Sequence, residues 1–411
     1  MRNDETNPVV VLGGGIAGIT AALELSRAGL PVALVEKSPF FGGRAASFGC
    51  KATDVCQKCG ACRVEQGLRD LFAAPGIALY AHTELVETRS DQGLLHLTLK
   101  SQPQVIDPQS CLDCGLCLDE CPAPGGILSA ASAENHPRFA VNPAACLYFQ
   151  DGSCRRCQDI CPTQAIDLAR PGTVAALSTP SLILATGYQP AKAALRTVYA
   201  HGQLPNIITG RELEEMMRQG GPPARPGDGR PVRRLAFIQC VGSRDQEHQY
   251  CSRVCCAYGL RLARLIRHRW PECQVTTFYM DLQNVGPDPQ NFMADARREL
   301  ELIRALPGNL DATGDGSLKL RFLDEASGRA LSRVVDLLVL AVGIAPGPDN
   351  ARLAEMLHLQ LNPDGFLQGG NGEAPGVFLA GTATGPQSIL ECIAQATQSV
   401  RQVRQYLEAR T

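Results

Sequence analysis

The chain has 411 residues, with 39 lysines and arginines against 41 aspartates and glutamates, and 18 cysteines. That length allows about two to three domains, and the near balance of charge gives no ground for a nucleic-acid or polyanion partner. Few aromatics and much Ala, Gly and Leu fit α/β layers packed around a cofactor.

The first stretch, "MRNDETNPVVVLGGG", runs into a strand without a secretory leader, so the thiols read as reduced, cytoplasmic and open to metal, not as a disulfide framework. "PVVVLGGGIAGITAALELSRAGLPVALVEKSPFFGGRAA" predicts strand, glycine turn, amphipathic helix and a second strand ending at Glu36. Gly13-x-Gly15-x-x-Gly18 would let amides and a helix N-terminus meet a pyrophosphate, while Glu36 would hold a ribose hydroxyl. Ile16 and Ala17 inside the turn, Lys37 after the acid, and Gly43 and Arg44 further on complete the expected cofactor contacts.

"FGCKATDVCQKCGACRVEQ" offers Cys50, Cys56, Cys59 and Cys62, a set for an iron–sulfur cubane, for zinc or for a redox-active Cys-x2-Cys pair. Strand-like "GLLHLTLK" comes next, and about residues 104–168 read as a small ferredoxin-like domain inserted into the sheet of the first. It carries Cys111-x2-Cys114-x2-Cys117-x3-Cys121-Pro, and then Cys146, Cys154, Cys157 and Cys161-Pro, whose first gap is long. In doubled runs of this kind the cysteine before proline serves the neighbouring cluster. One [4Fe–4S] cluster is therefore assigned to Cys111, Cys114, Cys117 and Cys161, the other to Cys146, Cys154, Cys157 and Cys121. A zinc ribbon is the alternative.

"SLILATGYQP", with Ala185, Thr186 and Gly187, and later "VDLLVLAVGIAP" are strands ending in Ala-x-Gly turns, so the signature recurs and favours FAD over NAD. The linker "GGPPARPGDGRP" marks a boundary near 228. Beyond it "LAFIQC" predicts a buried strand, but "QCVGSRDQEHQYCSRVCC" stands where a nicotinamide-binding domain would show its glycine fingerprint. Cys240 ends that strand, and Cys251 and Cys255 are expected on one face of the following helix with Cys256 beside them. Either these four thiols converge on a cluster, or they are buried structural cysteines.

No apolar run reaches the roughly 18 to 20 residues of a spanning helix; "VVDLLVLAVGIA" carries Asp336 and reads as a strand. "GVFLAGTATGPQSILECIAQATQ" gives a strand, a turn with Gly381, Thr382, Gln387 and Ser388, and a long helix expected beside a flavin. Cys273 and Cys392 read as plain buried thiols. The seven histidines are scattered, His82 and His201 among them, and no catalytic triad or carboxylate pair is found.

"IQCVGSRD…YCSRVCC" after an FAD fingerprint and an inserted two-cluster module resembles the HdrA flavoprotein of heterodisulfide reductase and short relatives such as QmoA, a quinone-interacting flavoprotein. The resemblance implies a thioredoxin-reductase-like α/β fold with two dinucleotide-binding-type domains, and a [4Fe–4S] cluster on Cys240, Cys251, Cys255 and Cys256. It also implies an electron-transfer subunit of an anaerobic complex, with HdrB/HdrC-like or other redox partner subunits, ferredoxin or a membrane quinone module reached through partners, and a homodimer as one option. Expected domains are 1–103, the insert 104–168, 169–227 as more of the FAD domain, 228–346 as the second Rossmann-like domain, and 347–411 as the FAD domain again. Thr382 stands where many flavoprotein disulfide reductases place an aspartate, and Gln387 where several relatives have lysine. A stand-alone NAD(P)H-dependent flavin disulfide reductase and a zinc-stabilised scaffold are the rival readings.

Overall fold

The structure, a computed structural model, describes residues 7–410 apart from 194–196, 219, 284–287, 326 and 370–373; the first six residues of the opening stretch lie outside it. In chain order come strand β1 (Val9–Leu12), helix α1 (Ile16–Arg27), β2 (Val32–Val35), α2 (Cys62–Ala73), β3 (Ile77–Tyr80), β4 (Thr83–Asp91) and β5 (Leu94–Ser101). Residues 102–172 hold only short elements: α3 (Leu116–Asp119), β6 (Ile127–Ser129), β7 (Phe139–Val141), α4 (Leu147–Asp151) and α5 (Arg156–Ile160). Then follow β8 (Thr173–Thr179), β9 (Leu182–Leu184), β10 (Tyr188–Pro190), β11 (Ile207–Thr209), α6 (Gly210–Arg218), β12 (Arg234–Val241), α7 (Cys255–Arg269), β13 (Gln274–Tyr279), α8 (Pro289–Glu299) and β14 (Glu301–Arg304). The rest is β15 (Asn309–Ala312), β16 (Leu318–Asp324), β17 (Arg329–Val335), β18 (Leu337–Val342), β19 (Ile344–Pro346), α9 (Asn350–Met356), β20 (Gln360–Leu361), β21 (Leu367–Gln368), β22 (Val377–Leu379) and α10 (Ile389–Glu408).

The first sheet has the order β22-β9-β1-β2-β3, every pairing parallel. Both faces are covered, which is why β1 reads as an unbroken apolar run. Val9 and Val11 pack with α1, α2 and α10, while Val10 and Leu12 pack with Leu85, Leu97 and Leu99 of the antiparallel sheet β4-β5-β8. The second sheet, β11-β18-β12-β13-β14, is also parallel. Leu235 and Phe237 of β12 face α7, and Ala236 and Ile238 face the antiparallel sheet β15-β16-β17. Antiparallel β10 and β19 tie the two units together.

Two expected boundaries move. Strand β11 pairs with β18, Ile207 to Thr209 against Leu338 to Leu340, so β11 and α6 belong to the second unit and the linker at 220–231 lies inside it. Proline and glycine there mark a turn on the domain's surface, not its edge. The insert leaves from β5 and returns on β8, so it interrupts the antiparallel sheet and not the parallel one.

Candidate functional site

Three turns meet at the carboxyl edge of the first sheet, the place where open α/β sheets bind ligands. Gly13 has φ +107, and a Cβ there would lie 2.3 Å from the Ala185 carbonyl oxygen; one at Gly18 would lie 1.8 Å from the oxygen of Gly13. Only glycine lets α1 start so close to the strand. Gly15 caps α1 without any side-chain hydrogen bond, so the first amides of the helix stay open to an anion. Ile16 and Ala17 form its first turn.

Glu36 crosses the turn: its carboxylate accepts from the Gly14 amide at 2.6 Å and from the Ser38 amide at 2.7 Å. Burial pushes its pKa up against the pull of those amides. Gly43 packs on Gly15, and Arg44 Nε donates to the Tyr188 carbonyl at 2.7 Å with its guanidinium over the Tyr188 ring. Ala185, Thr186 and Gly187 follow β9, with Gly187 facing Thr382; Gly381, at φ +70, sits against Ala17. Gln387 Nε2 donates to Gln395 Oε1 at 2.8 Å, and Gln395 Oε1 also takes the Gly381 amide.

Two buried oxygens, Thr186 Oγ1 and Gln387 Oε1, find no hydrogen-bond partner among the described residues. Together with the open amides of α1, they give this edge donors and acceptors suited to a dinucleotide. Lys37 pairs with Asp349 at 2.9 Å near the surface, and the Ser388 hydroxyl accepts from the Glu391 amide in a capping box, which leaves its O–H able to donate.

The inserted thiols gather in two groups. Cys111, Cys114 and Cys117 line an apolar hollow with Cys161 across from them, walled by Ile106, Phe139 and Ile166. Burial pushes the Cys117 thiol up to about 11, with Cys111, Cys157 and Cys114 adding to it. Cys157 is likewise pushed up to about 11, first by burial and then by Cys146, Cys121 and Cys154. Cys161 is lowered: burial raises it, but amides of the Pro162–Ile166 turn and the Thr163 hydroxyl outweigh that. The long gap between Cys146 and Cys154 is taken up by the single turn α4, which closes on Gly152 at φ +75.

At the second sheet, β12 shifts register between Ile238 and Val241, and Cys240 adopts φ +61. A bulge of this kind re-aims a side chain. Burial pushes Cys240 up to about 11, with Cys256 and Cys251 adding to it. Cys255 is raised by its hydrogen bond to Cys256 and by burial, with Cys240 and Cys251 near. The four thiols are thus together, but Cys251 is not on the helix as expected. It lies in the loop before α7, and its sulfur accepts from the Arg253 amide at 3.2 Å. That loop is clasped to the first unit: Arg253 Nη1 donates to the Pro386 carbonyl at 3.2 Å and Nη2 to Glu391 Oε1 at 2.7 Å.

Cys50, Cys56 and Cys62 are exposed and Cys59 half-buried. Their loop rests on the second unit: Arg261 Nε donates to the Gln57 carbonyl at 3.0 Å, and Arg264 Nη1 to Gln57 Oε1 at 2.7 Å. Lys51 is buried, 2.8 Å from Glu214 of α6. Among the described residues no three His, Cys, Asp or Glu side chains close on a single metal-ion position. A cubane, ligated at four separate irons, needs a wider tetrahedron of thiols than one ion does. Cys273 and Cys392 are buried in the apolar cores, as expected; His201 pairs with Glu212. Arg253, Tyr188, Gln395 and Arg261 escaped the sequence reading, although Arg253 stands inside the cysteine motif itself.

The FAD-dependent oxidoreductase family matches residues 8–74. An HdrA-type iron–sulfur subunit of the CoB–CoM heterodisulfide reductase of Methanopyrus kandleri is 31% identical over 100% of this chain and 66% of its own length. The corresponding subunit of Methanocaldococcus jannaschii is 33% identical over 94% of this chain and 62% of its own. The chain is HdrA-like. This HdrA-like chain spans about two thirds of the length of those relatives or less. Its fold is that of Lactococcus lactis thioredoxin reductase, at TM-score 0.54 and 12% identity over 98% of this chain and 100% of that one. It is also that of T. acidophilum thioredoxin reductase, at TM-score 0.53 and 12% identity over 98% of this chain and 99% of that one. The HdrA-like chain is an oxidoreductase by family, with FAD the cofactor of that family and iron–sulfur centres named in its relatives. No described helix is long and apolar enough to cross a membrane.

Proposed function

We propose that the HdrA-like chain is an FAD- and iron–sulfur-containing electron-transfer subunit of a cytoplasmic heterodisulfide-reductase-like complex, working with HdrB/HdrC-like or comparable redox subunits. Bound FAD would supply paired-electron chemistry, and bound clusters single-electron chemistry. Gly13, Gly15, Gly18 and the α1 amides take the pyrophosphate, Glu36 a ribose hydroxyl, and Arg44, Thr186, Thr382 and Gln387 the remaining polar edge. Cys111, Cys114, Cys117 and Cys161 hold one cubane; Cys146, Cys154, Cys157 and Cys121 a second; Cys240, Cys251, Cys255 and Cys256 a third.

The observation that carries this reading is the Arg253 clasp. In a nicotinamide enzyme the edge of the second sheet must admit a nucleotide; here thiols fill it, and Arg253 fastens their loop to Pro386 and Glu391 beside the flavin-side turn. The second unit then serves as a port for electrons. Anaerobically purified protein should contain FAD and iron, and Cys255→Ser should remove one cubane's iron and one EPR signal. Unchanged iron and an unchanged spectrum would return the stretch to core packing.

A further inference from the structure

The Cys56–Cys62 loop shares two left-handed positions with the Cys111–Cys117 loop. Lys58 and Gly60 have φ +50 and +82; Asp113 and Gly115, at the matching positions, have +54 and +81. The amide two residues on donates to the first sulfur in both, Lys58 to Cys56 at 3.4 Å and Asp113 to Cys111 at 3.5 Å. Each loop then runs into a helix near its third cysteine, α2 beginning at Cys62 and α3 at Leu116, one residue before Cys117. A left-handed non-glycine residue is uncommon, so two loops do not share this sequence of conformations by default. In the insert the same turn presents three sulfurs to one hollow.

The charge around the loop matches an anionic occupant. The Arg261 guanidinium faces Cys59 and Cys56, and its Nε is held by the Gln57 carbonyl. Gln57 is in turn fixed by Arg264, and Gly60 sits on Ile389 and Leu390 at the start of α10. The half-buried Arg261 guanidinium, stacked over the Phe292 ring at 5.2 Å, would offset part of an anionic cluster's charge.

We infer that Cys56, Cys59 and Cys62 hold an iron–sulfur cubane of their own, with Arg261 as its charge-compensating neighbour. The inference rests on the reading of the Cys111 loop as a cluster loop. It places a centre by Arg261 of α7, six residues and so about 9 Å along the helix from Cys255, with Gly60 of its loop against the first turn of α10.

The test uses anaerobic holoprotein, with iron, zinc and FAD per chain and EPR of the reduced state. C56S/C59S/C62S should lose about four irons and one EPR signal while keeping FAD. Unchanged iron and spectra, or loss of zinc in place of iron, would overturn the inference. Should the triple variant lose flavin as well, Arg261→Gln decides: a tenfold shift in the reduction equilibrium of one signal, about 59 mV for one electron, upholds it, and no shift in any signal sinks it. Cys111→Ser in parallel separates the two readings, because retained iron there would fail the insert's assignment whatever the outcome at Cys56.

Discussion

Replacing Glu214 by leucine removes one half of an ion pair that the fold has sealed from water. Lys51 and Glu214 are 3% and 4% exposed, with Nζ 2.8 Å from Oε1 but outside hydrogen-bond geometry, so the attraction is mainly coulombic. Glu214 Oε2 also takes the Gly49 amide at 2.7 Å, and Nζ lies 5.3 Å and 5.4 Å from the Phe48 and Tyr258 ring centres. Breaking a buried pair from one side costs about 3–5 kcal/mol, and the loss of the Gly49 bond adds about 1 kcal/mol. Of the total, the two rings return about 1–2 kcal/mol by holding the stranded ammonium. The expected net loss is about 2–5 kcal/mol, or roughly 30- to 4,000-fold in the folded population at 1.4 kcal/mol per tenfold. Urea denaturation of the holoprotein measures it. Lys51→Met combined with Glu214→Leu should recover most of the loss, since an apolar pair leaves no charge unpaired. A single Glu214→Leu costing under about 1 kcal/mol, or a double variant no better than the single, would refute the account.

Three other outcomes follow from particular contacts. Gly18→Ala should abolish FAD retention, because its methyl group would enter the Gly13 carbonyl; flavin fluorescence after gel filtration reads it. Asp336 is lowered from its ordinary 3.8 despite burial, through the Arg234 side chain and the Arg233 and Arg234 amides. A depressed folded-state pKa stabilises above 3.8 and the gain fades as pH falls below it, so Asp336→Asn should flatten the acid limb of the urea-midpoint profile while lowering stability near neutrality. Burial pushes Cys392 up to about 12 and Cys273 up to about 11. At pH 8 both should resist iodoacetamide in the folded protein, as peptide mass spectrometry would show, and Cys273→Ser should leave iron content unchanged.

The glycine turn, the helix after it and Glu36 were legible because their chemistry is local: backbone reach and strand alternation fix them within some thirty residues. The doubled cysteine run was legible for the same reason, and the hollow does bring Cys161 to Cys111, Cys114 and Cys117. Long-range packing was not. Nothing near Ile207 says that it will pair with Leu338, so β11 and α6 were misplaced, and nothing near Lys37 points to its ion-pair partner Asp349. Cys251 and Cys255 have helical spacing, but the strained Arg253 at φ +60 keeps the helix from starting before Cys255. Arg253 itself carried no local signal of its partner Glu391.

The insert's two ends have a consequence of their own. Ser101 and Thr173 are a registered cross-strand pair of β5 and β8, so the whole of 102–172 leaves and re-enters the host at neighbouring points, as the tip of a hairpin would. Neighbouring antiparallel residues sit about 5 Å apart, a gap two residues can turn. The strands beneath therefore need only closure from the insert, and among the described residues its buried hydrogen-bond tie to the host is Asn135, which takes the Phe41 amide at 3.0 Å and gives to the Phe41 carbonyl at 3.2 Å; an exchanged insert would keep the sheet in register and lose that tie.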